Sequence, residues 1–136
     1  MIKIYIKALT RRLKISPKRL KSITQKVLEF ERIPHTKEYD ISITLVSNKF
    51  IQRLNKEYRK VDSPTDVLAF SMEIQKDKFM VDIYISVDRA EQQISKNETL
   101  EIEITRLLIH GLLHILGYEH SEQMFNKQED YLQKVK

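Results

Sequence analysis

Apolar positions along this 136-residue chain change their period several times, and each change marks an element. Ile2, Ile4 and Ile6 alternate with Lys3, Tyr5 and Lys7, which predicts a strand with one buried face. Ser16-Pro17 then reads as a helix start with proline at the first helical position, and Leu20, Ile23, Val27 and Phe30 follow at helical spacing. Alternation returns from Asp40 to Val46 through Ile41, Ile43 and Leu45, giving a second strand. Ser47 caps a second helix whose expected buried stripe is Phe50, Ile51, Leu54 and Tyr58.

Arg59 to Asp66, with Ser63-Pro64 inside it, reads as a loop. Val67 to Met72 and Met80 to Ser86 are short apolar runs separated by polar Gln75-Lys76-Asp77-Lys78, the pattern of a hairpin. A helix from about Val87 to Lys96 comes next. A longer one from about Leu100 carries Ile104, Leu107, Leu108, Leu112 and Ile115 and stops at Gly117, and Ser121 caps a last helix through Met124, Phe125 and Leu132. The expected fold is α+β: a small mixed sheet of about four strands with about five helices, one of them a zincin-like metal helix, in a single domain spanning 1–136.

The long helix also carries the candidate chemistry. His110, His114 and His120 fall at spacings of four and six, and both glycines of the chain, Gly111 and Gly117, lie among them. On a helix, His110 and His114 share one face about 5–6 Å apart. Gly117 permits the left-handed residue that ends a helix, and the reversal can bring His120 to the same point. Three imidazoles with an open fourth position suit a catalytic divalent ion, most simply Zn2+. The alternative is a closed structural site, which needs a fourth protein ligand; with no cysteine, that leaves His35 or a carboxylate.

The spacing is that of the metzincin proteases with one change: Gly111 stands where their general-base glutamate stands. Peptide hydrolysis through that base is therefore not expected. A glycine inside a helix costs about 0.5–1 kcal/mol relative to alanine, so close approach of substrate or of a neighbouring strand is expected at this position.

Composition narrows the setting. The chain is 41% apolar but has no run approaching the roughly 18 apolar residues of a membrane span. Its N-terminus begins directly with a strand pattern, so no cleaved signal peptide is expected. The lack of cysteine excludes disulfides and is compatible with a cytoplasmic location. Of the net charge of +5, residues 1–28 contribute nine basic side chains (Lys3, Lys7, Arg11, Arg12, Lys14, Lys18, Arg19, Lys21, Lys26) and no acid, on a body that is slightly acidic. Such a region either attracts a polyanion, of which nucleic acid is the commonest, or merely solvates helix faces.

Three separated segments together carry a family resemblance: the histidine run, Leu54-Asn55-Lys56-Glu57-Tyr58-Arg59, and Pro64-Thr65-Asp66-Val67-Leu68-Ala69-Phe70-Ser71. They resemble the bacterial YbeY family, the endoribonucleases and rRNA maturation factors, over nearly the full chain. The resemblance implies a metal-dependent, usually zinc-bound enzyme that takes part in 16S rRNA 3′-end maturation and ribosome quality control. Its partners would be rRNA precursor, the small ribosomal subunit and small-subunit assembly proteins. It implies His110, His114 and His120 as metal ligands, Arg59 at the mouth of a basic cleft, Thr65-Asp66 as part of the family signature, and Asp82 as the acid of a Gly-Asp-Ile segment. The chain departs from the family pattern with Glu119 for aspartate, Ala69 for serine, Val81 for glycine and a short loop from Ile74 to Phe79.

Arg59 and His114 are accordingly the expected catalytic residues, with Arg59 and Asp66 binding substrate. Arg59 would hold a phosphate through its planar fork. Asp66 either orients Arg59 or a ligand imidazole, or is a cap or turn residue after Pro64-Thr65. Tyr118 either donates to a phosphate or packs beside the turn glycine. The base is open between Glu119, a second water, and none at all if the RNA's own 2′-hydroxyl attacks. Two other classes stay in play: an RNA-binding assembly factor whose ion is structural, and a metal-dependent hydrolase of another phosphate ester or amide.

Overall fold

The computed structural model describes residues 1–11 and 15–136; Arg12 and Lys14 of the basic region lie outside the described residues. Nine elements follow in the order β1 (Ile2–Ala8), α1 (Pro17–Phe30), β2 (Glu38–Val46), α2 (Asn48–Arg59), β3 (Val67–Gln75), β4 (Lys78–Ser86), α3 (Val87–Gln92), α4 (Leu100–Ile115) and α5 (Glu122–Val135). The serines and threonine that precede the helices act as caps. Ser16, Ser47, Ser86, Thr99 and Ser121 each accept from the backbone N–H three residues on, which satisfies one of the orphan donors of the first turn.

The four strands form one sheet in the order β1-β2-β4-β3. β1 pairs parallel with β2 and β2 parallel with β4, whereas β3 runs antiparallel to β4 as a hairpin. The sheet is therefore mixed, as expected from the sequence. The hairpin strands reach further than their apolar runs suggest: β3 continues to Gln75 and β4 begins at Lys78, joined by a two-residue turn in which Asp77 has φ 59°. A register shift between Glu73 and Gln75 marks a bulge there.

One face of the sheet carries Ile41, Ile43, Leu45, Val81, Ile83 and Ile85, and they form the main core with α1, α3, α4 and α5. On the other face Val46, Leu68, Phe70 and Tyr84 pack beneath Phe50, Ile51 and Leu54 of α2. The sheet's remaining area on that side stays open, with Tyr5 and Met80 exposed.

Three expectations from the sequence require correction. Tyr58 is not part of the buried stripe of α2: it is 62% exposed, and Asn55 takes the buried place, its Nδ2 donating to the Ser63 carbonyl at 2.9 Å. Phe125 is likewise 58% exposed, because the stripe of α5 runs through Met124, Gln128, Tyr131, Leu132 and Val135. The helix expected to reach Lys96 ends at Gln92, and Asn97 adopts φ 69° before Thr99 starts α4. The chain must reverse there to lay α4 back across the sheet.

Among the described residues no helix is long and apolar enough to cross a membrane.

Candidate metal and phosphate site

α4 is buried along most of its length, and packing against β3, β4, α1, α3 and α5 decides which of its side chains can reach solvent. The glycine at 111 is explained by this packing. A Cβ there would lie 3.2 Å from Ile83 Cγ2, 3.4 Å from Val67 Cγ2 and 3.8 Å from Ala69 Cβ, so the helix lies close against the hairpin. The neighbouring strand supplies the close approach, and a glutamate in this place would be driven into the sheet.

At its C-terminus α4 closes with a Schellman motif. Gly117 has φ 104°, its N–H donates to the His114 carbonyl at 3.1 Å, and the Tyr118 N–H donates to the Leu113 carbonyl at 3.1 Å. The chain then doubles back, and Ser121 starts α5 immediately after His120. This reversal brings the His120 ring to 5.1 Å from that of His110 and 5.5 Å from that of His114, centroid to centroid. Three imidazoles on one ion, each nitrogen at about 2.0–2.1 Å, would have centroids about 5 Å apart. Among the described residues no three His, Cys, Asp or Glu side chains are closed into a metal-holding group as they stand.

The three histidines share a cleft of about 350 Å³ with Arg59, Thr65, Asp66, Val67, Leu68, Ala69, Phe70 and Gly111. One wall is the β3 edge, whose partner on the other side is β4. Arg59 reaches the cleft from the last turn of α2; among the described residues no carboxylate pairs with it, and its charge is felt at His114. The His114 imidazole is held below the usual histidine range, first by partial desolvation and then by the charges of His120 and His110. That favours the neutral ring that metal ligation requires. His114 and His120 are exposed and His110 half-buried, so the donor set faces solvent.

Behind the cleft, the nitrogen of His110 that Gln128 contacts is Nδ1, at 2.8 Å from Gln128 Oε1. A second network crosses the base of the site. Arg106 binds Glu103, Glu98 at 2.9 Å and Glu129 at 3.0 Å, which raises its already high pKa further. Gln93 Nε2 donates both to Glu103 Oε2 at 2.8 Å and to Asp66 Oδ2 at 3.2 Å. Asp66 is thus held by Gln93, and its backbone carbonyl also accepts from the Ser86 N–H at 2.9 Å.

Of the residues singled out from the sequence, His110, His114, His120, Arg59, Thr65 and Asp66 meet in one cleft. Others do not. Asp82 pairs in register with Ser42 and Phe70, on the opposite sheet face from Ile83 and α4. Val81 is buried in the core. Tyr118 lies beneath the ammonium of Lys127, 5.0 Å from ring to nitrogen, which is packing. His35 is exposed in a separate cleft with Met1, Leu28 and Pro34. Glu119 is exposed and lines none of the clefts described. Sequence reading missed Gln128 and Gln93. For Gln128 a signal was present: a polar residue at a core position of the α5 stripe.

The comparisons with known proteins agree with one another. A family model described as endoribonuclease YbeY matches residues 5–136. The endoribonuclease YbeY of Oceanobacillus iheyensis is 40% identical over 129 residues, covering 81% of this chain and 84% of that protein. That of Bacillus subtilis is 36% identical over 137 residues, covering 87% of each. The solution structure of TM1509 from Thermotoga maritima superposes with a TM-score of 0.60 at 29% identity, over 97% of this chain and 88% of that one. From a match that spans both the histidine run and the Arg59–Asp66 wall of the cleft, the chain belongs to the YbeY endoribonuclease family.

Proposed function

We propose that this protein is a metal-dependent endoribonuclease that cleaves single-stranded RNA in 16S rRNA 3′-end maturation and ribosome quality control, acting in the cytoplasm. The observation that carries the reading is the meeting of three imidazoles with a guanidinium that pairs with no carboxylate among the described residues, all in one open cleft. Its relatives' name supports the substrate class. His110, His114 and His120 would hold a divalent ion, most simply Zn2+, because three neutral nitrogens without a thiolate are the donor set of hydrolytic zinc sites. When bound, such an ion supplies Lewis-acid polarisation of a phosphoryl oxygen and lowers the pKa of water near it.

The chain's own residues account for the rest. Arg59 places a rigid, always-charged fork opposite the histidines, suited to the phosphate oxygens on which charge grows as the ester is attacked. Asp66, restrained by Gln93, would accept from a ribose hydroxyl at the same wall. Gly111 provides no base, so the proton lost by the nucleophile, water or the RNA's own 2′-hydroxyl, passes to solvent, and the leaving oxygen takes one from solvent. The edge strand β1, with Lys3 and Lys7 on the open face of the sheet, lies at the opposite edge from β3, three strand spacings or about 14–15 Å away. It would engage RNA beyond the scissile step, and assembly proteins or the small subunit would complete that contact.

The test is metal analysis of purified protein, paired with cleavage of a single-stranded RNA before and after EDTA. About one zinc per chain and cleavage abolished by EDTA and restored by zinc are expected. A 2′,3′-cyclic phosphate at the new end indicates internal attack, and a 5′-phosphate indicates water. Undiminished cleavage after complete chelation would overturn the proposal.

A further inference from the structure

We infer that Gln128 is the positioning residue of the histidine cleft: its amide oxygen holds His110 in the Nδ1–H tautomer and so presents Nε2 as a bare lone pair to the cleft. The inference rests on reading the three histidines as ligands, but its central observable does not need the ion.

Gln128 Oε1 lies 2.8 Å from His110 Nδ1. An amide oxygen only accepts, so for this to be a hydrogen bond the ring must carry its hydrogen on Nδ1. The orientation of the amide is not arbitrary. Its other end, Nε2, donates to Glu129 Oε2 at 3.1 Å, and a carboxylate can only accept. Turning the amide over would set oxygen against oxygen there. Glu129 is in turn fixed by Arg106, whose Nε lies 3.3 and 3.0 Å from its two oxygens, while the same guanidinium binds Glu98 and Glu103. Orientation therefore passes from the mostly buried Arg106, through Glu129 and Gln128, to one ring.

Burial makes the arrangement informative. Gln128 is 6% exposed in the stripe of α5, between Met124 and Leu132, where an apolar residue would pack without desolvating an amide. His110 lines both the cleft and a small cavity of about 220 Å³ that it shares with His120, Met124 and Gln128. Its Nδ1 is engaged on the rear side, which leaves Nε2 as the nitrogen available to the cleft. Neutral imidazole in water favours hydrogen on Nε2, the form that could not ligate from that nitrogen. The protein must select the other, and outer partners of this kind typically govern affinity for the ion.

The experiment is nitrogen-15 NMR of the imidazoles in metal-free full-length protein, above the ordinary histidine pKa of about 6.5, followed by zinc affinity from chelator competition. Wild type is expected to show hydrogen on Nδ1 of His110. Gln128→Leu should move it to Nε2 and weaken zinc binding about 10- to 100-fold. Hydrogen on Nε2 in the wild type overturns the inference, and that spectrum needs no variant to fold. An unchanged tautomer and affinity in Gln128→Leu overturns it equally. A protein with the expected tautomer and Gln128-dependent zinc affinity that leaves RNA intact would sink the nuclease proposal alone.

Discussion

Arg106 and His110 sit one turn apart on α4, yet their surroundings are opposites. Arg106 is surrounded by Glu98, Glu103 and Glu129, so its charge is consumed inside the protein. Among the described residues the three histidines and Arg59, which share one cleft, pair with no carboxylate. One cluster closes on a shared guanidinium and the other opens to solvent. Paired buried charge fixes geometry, since losing a partner strands the rest, whereas donors and acceptors at an opening are free to take a ligand. The difference separates what holds α4 in place from what α4 is held in place to do.

The sharpest way to break this comparison is to delete one member of each cluster. Arg106→Ala should destabilise the metal-free protein by about 3–5 kcal/mol, because Glu103 is left buried without its partner. His114→Ala should change metal-free stability by no more than about 0.5 kcal/mol while abolishing RNA cleavage. Denaturant unfolding of both, beside a cleavage assay, decides; equal destabilisation by the two would erase the distinction. Arg59→Ala comes next. Cleavage should fall about 10²- to 10³-fold, as when one preorganised anion donor is lost, with an unchanged unfolding midpoint.

A smaller effect is expected at the helix–hairpin contact. Gly111→Glu restores the protease pattern in sequence but pushes a side chain toward Ile83 and Val67, and should destabilise by about 1–3 kcal/mol by overpacking. A stable variant that hydrolysed peptides would show that the contact is looser than it is drawn. The smallest effect is in pH. NMR titration of metal-free protein should give His114 a midpoint below about 6.5, and His120→Ala should move it back up. Because the folded value is lowered, the unfolded chain binds the proton more readily. The His114 contribution is complete above the unfolded pKa and is lost as pH falls through the depressed folded one. A midpoint at or above the ordinary value would mean the rings do not repel one another.

Much of this was legible in the chain itself. Alternating Ile41-Ile43-Leu45 and the caps Ser16, Ser47 and Ser121 signal their elements locally, because a strand's pleat and a helix's first turn impose their demands within a few residues. The gathering of the histidines was legible for the same reason: His110, His114, Gly117 and His120 span eleven residues, and helix geometry plus one left-handed glycine suffice to bring them together. Tyr58 and Phe125 misled because helical spacing does not say which neighbour a stripe will meet.

What the sequence determined by itself, then, is the set of elements, the gathering of three imidazoles and, through motif resemblance, the family. Tertiary structure alone decided that Gly111 lies against Ile83, that Arg59 comes from another helix to face the histidines, that the basic first strand lies at the far edge, and that Gln128, eighteen residues from His110, orients its ring. Those facts depend on how α4 and α5 pack on one another and on the sheet. Such packing is set by the sum of many contacts between residues distant in the chain, and no short stretch of sequence encodes it.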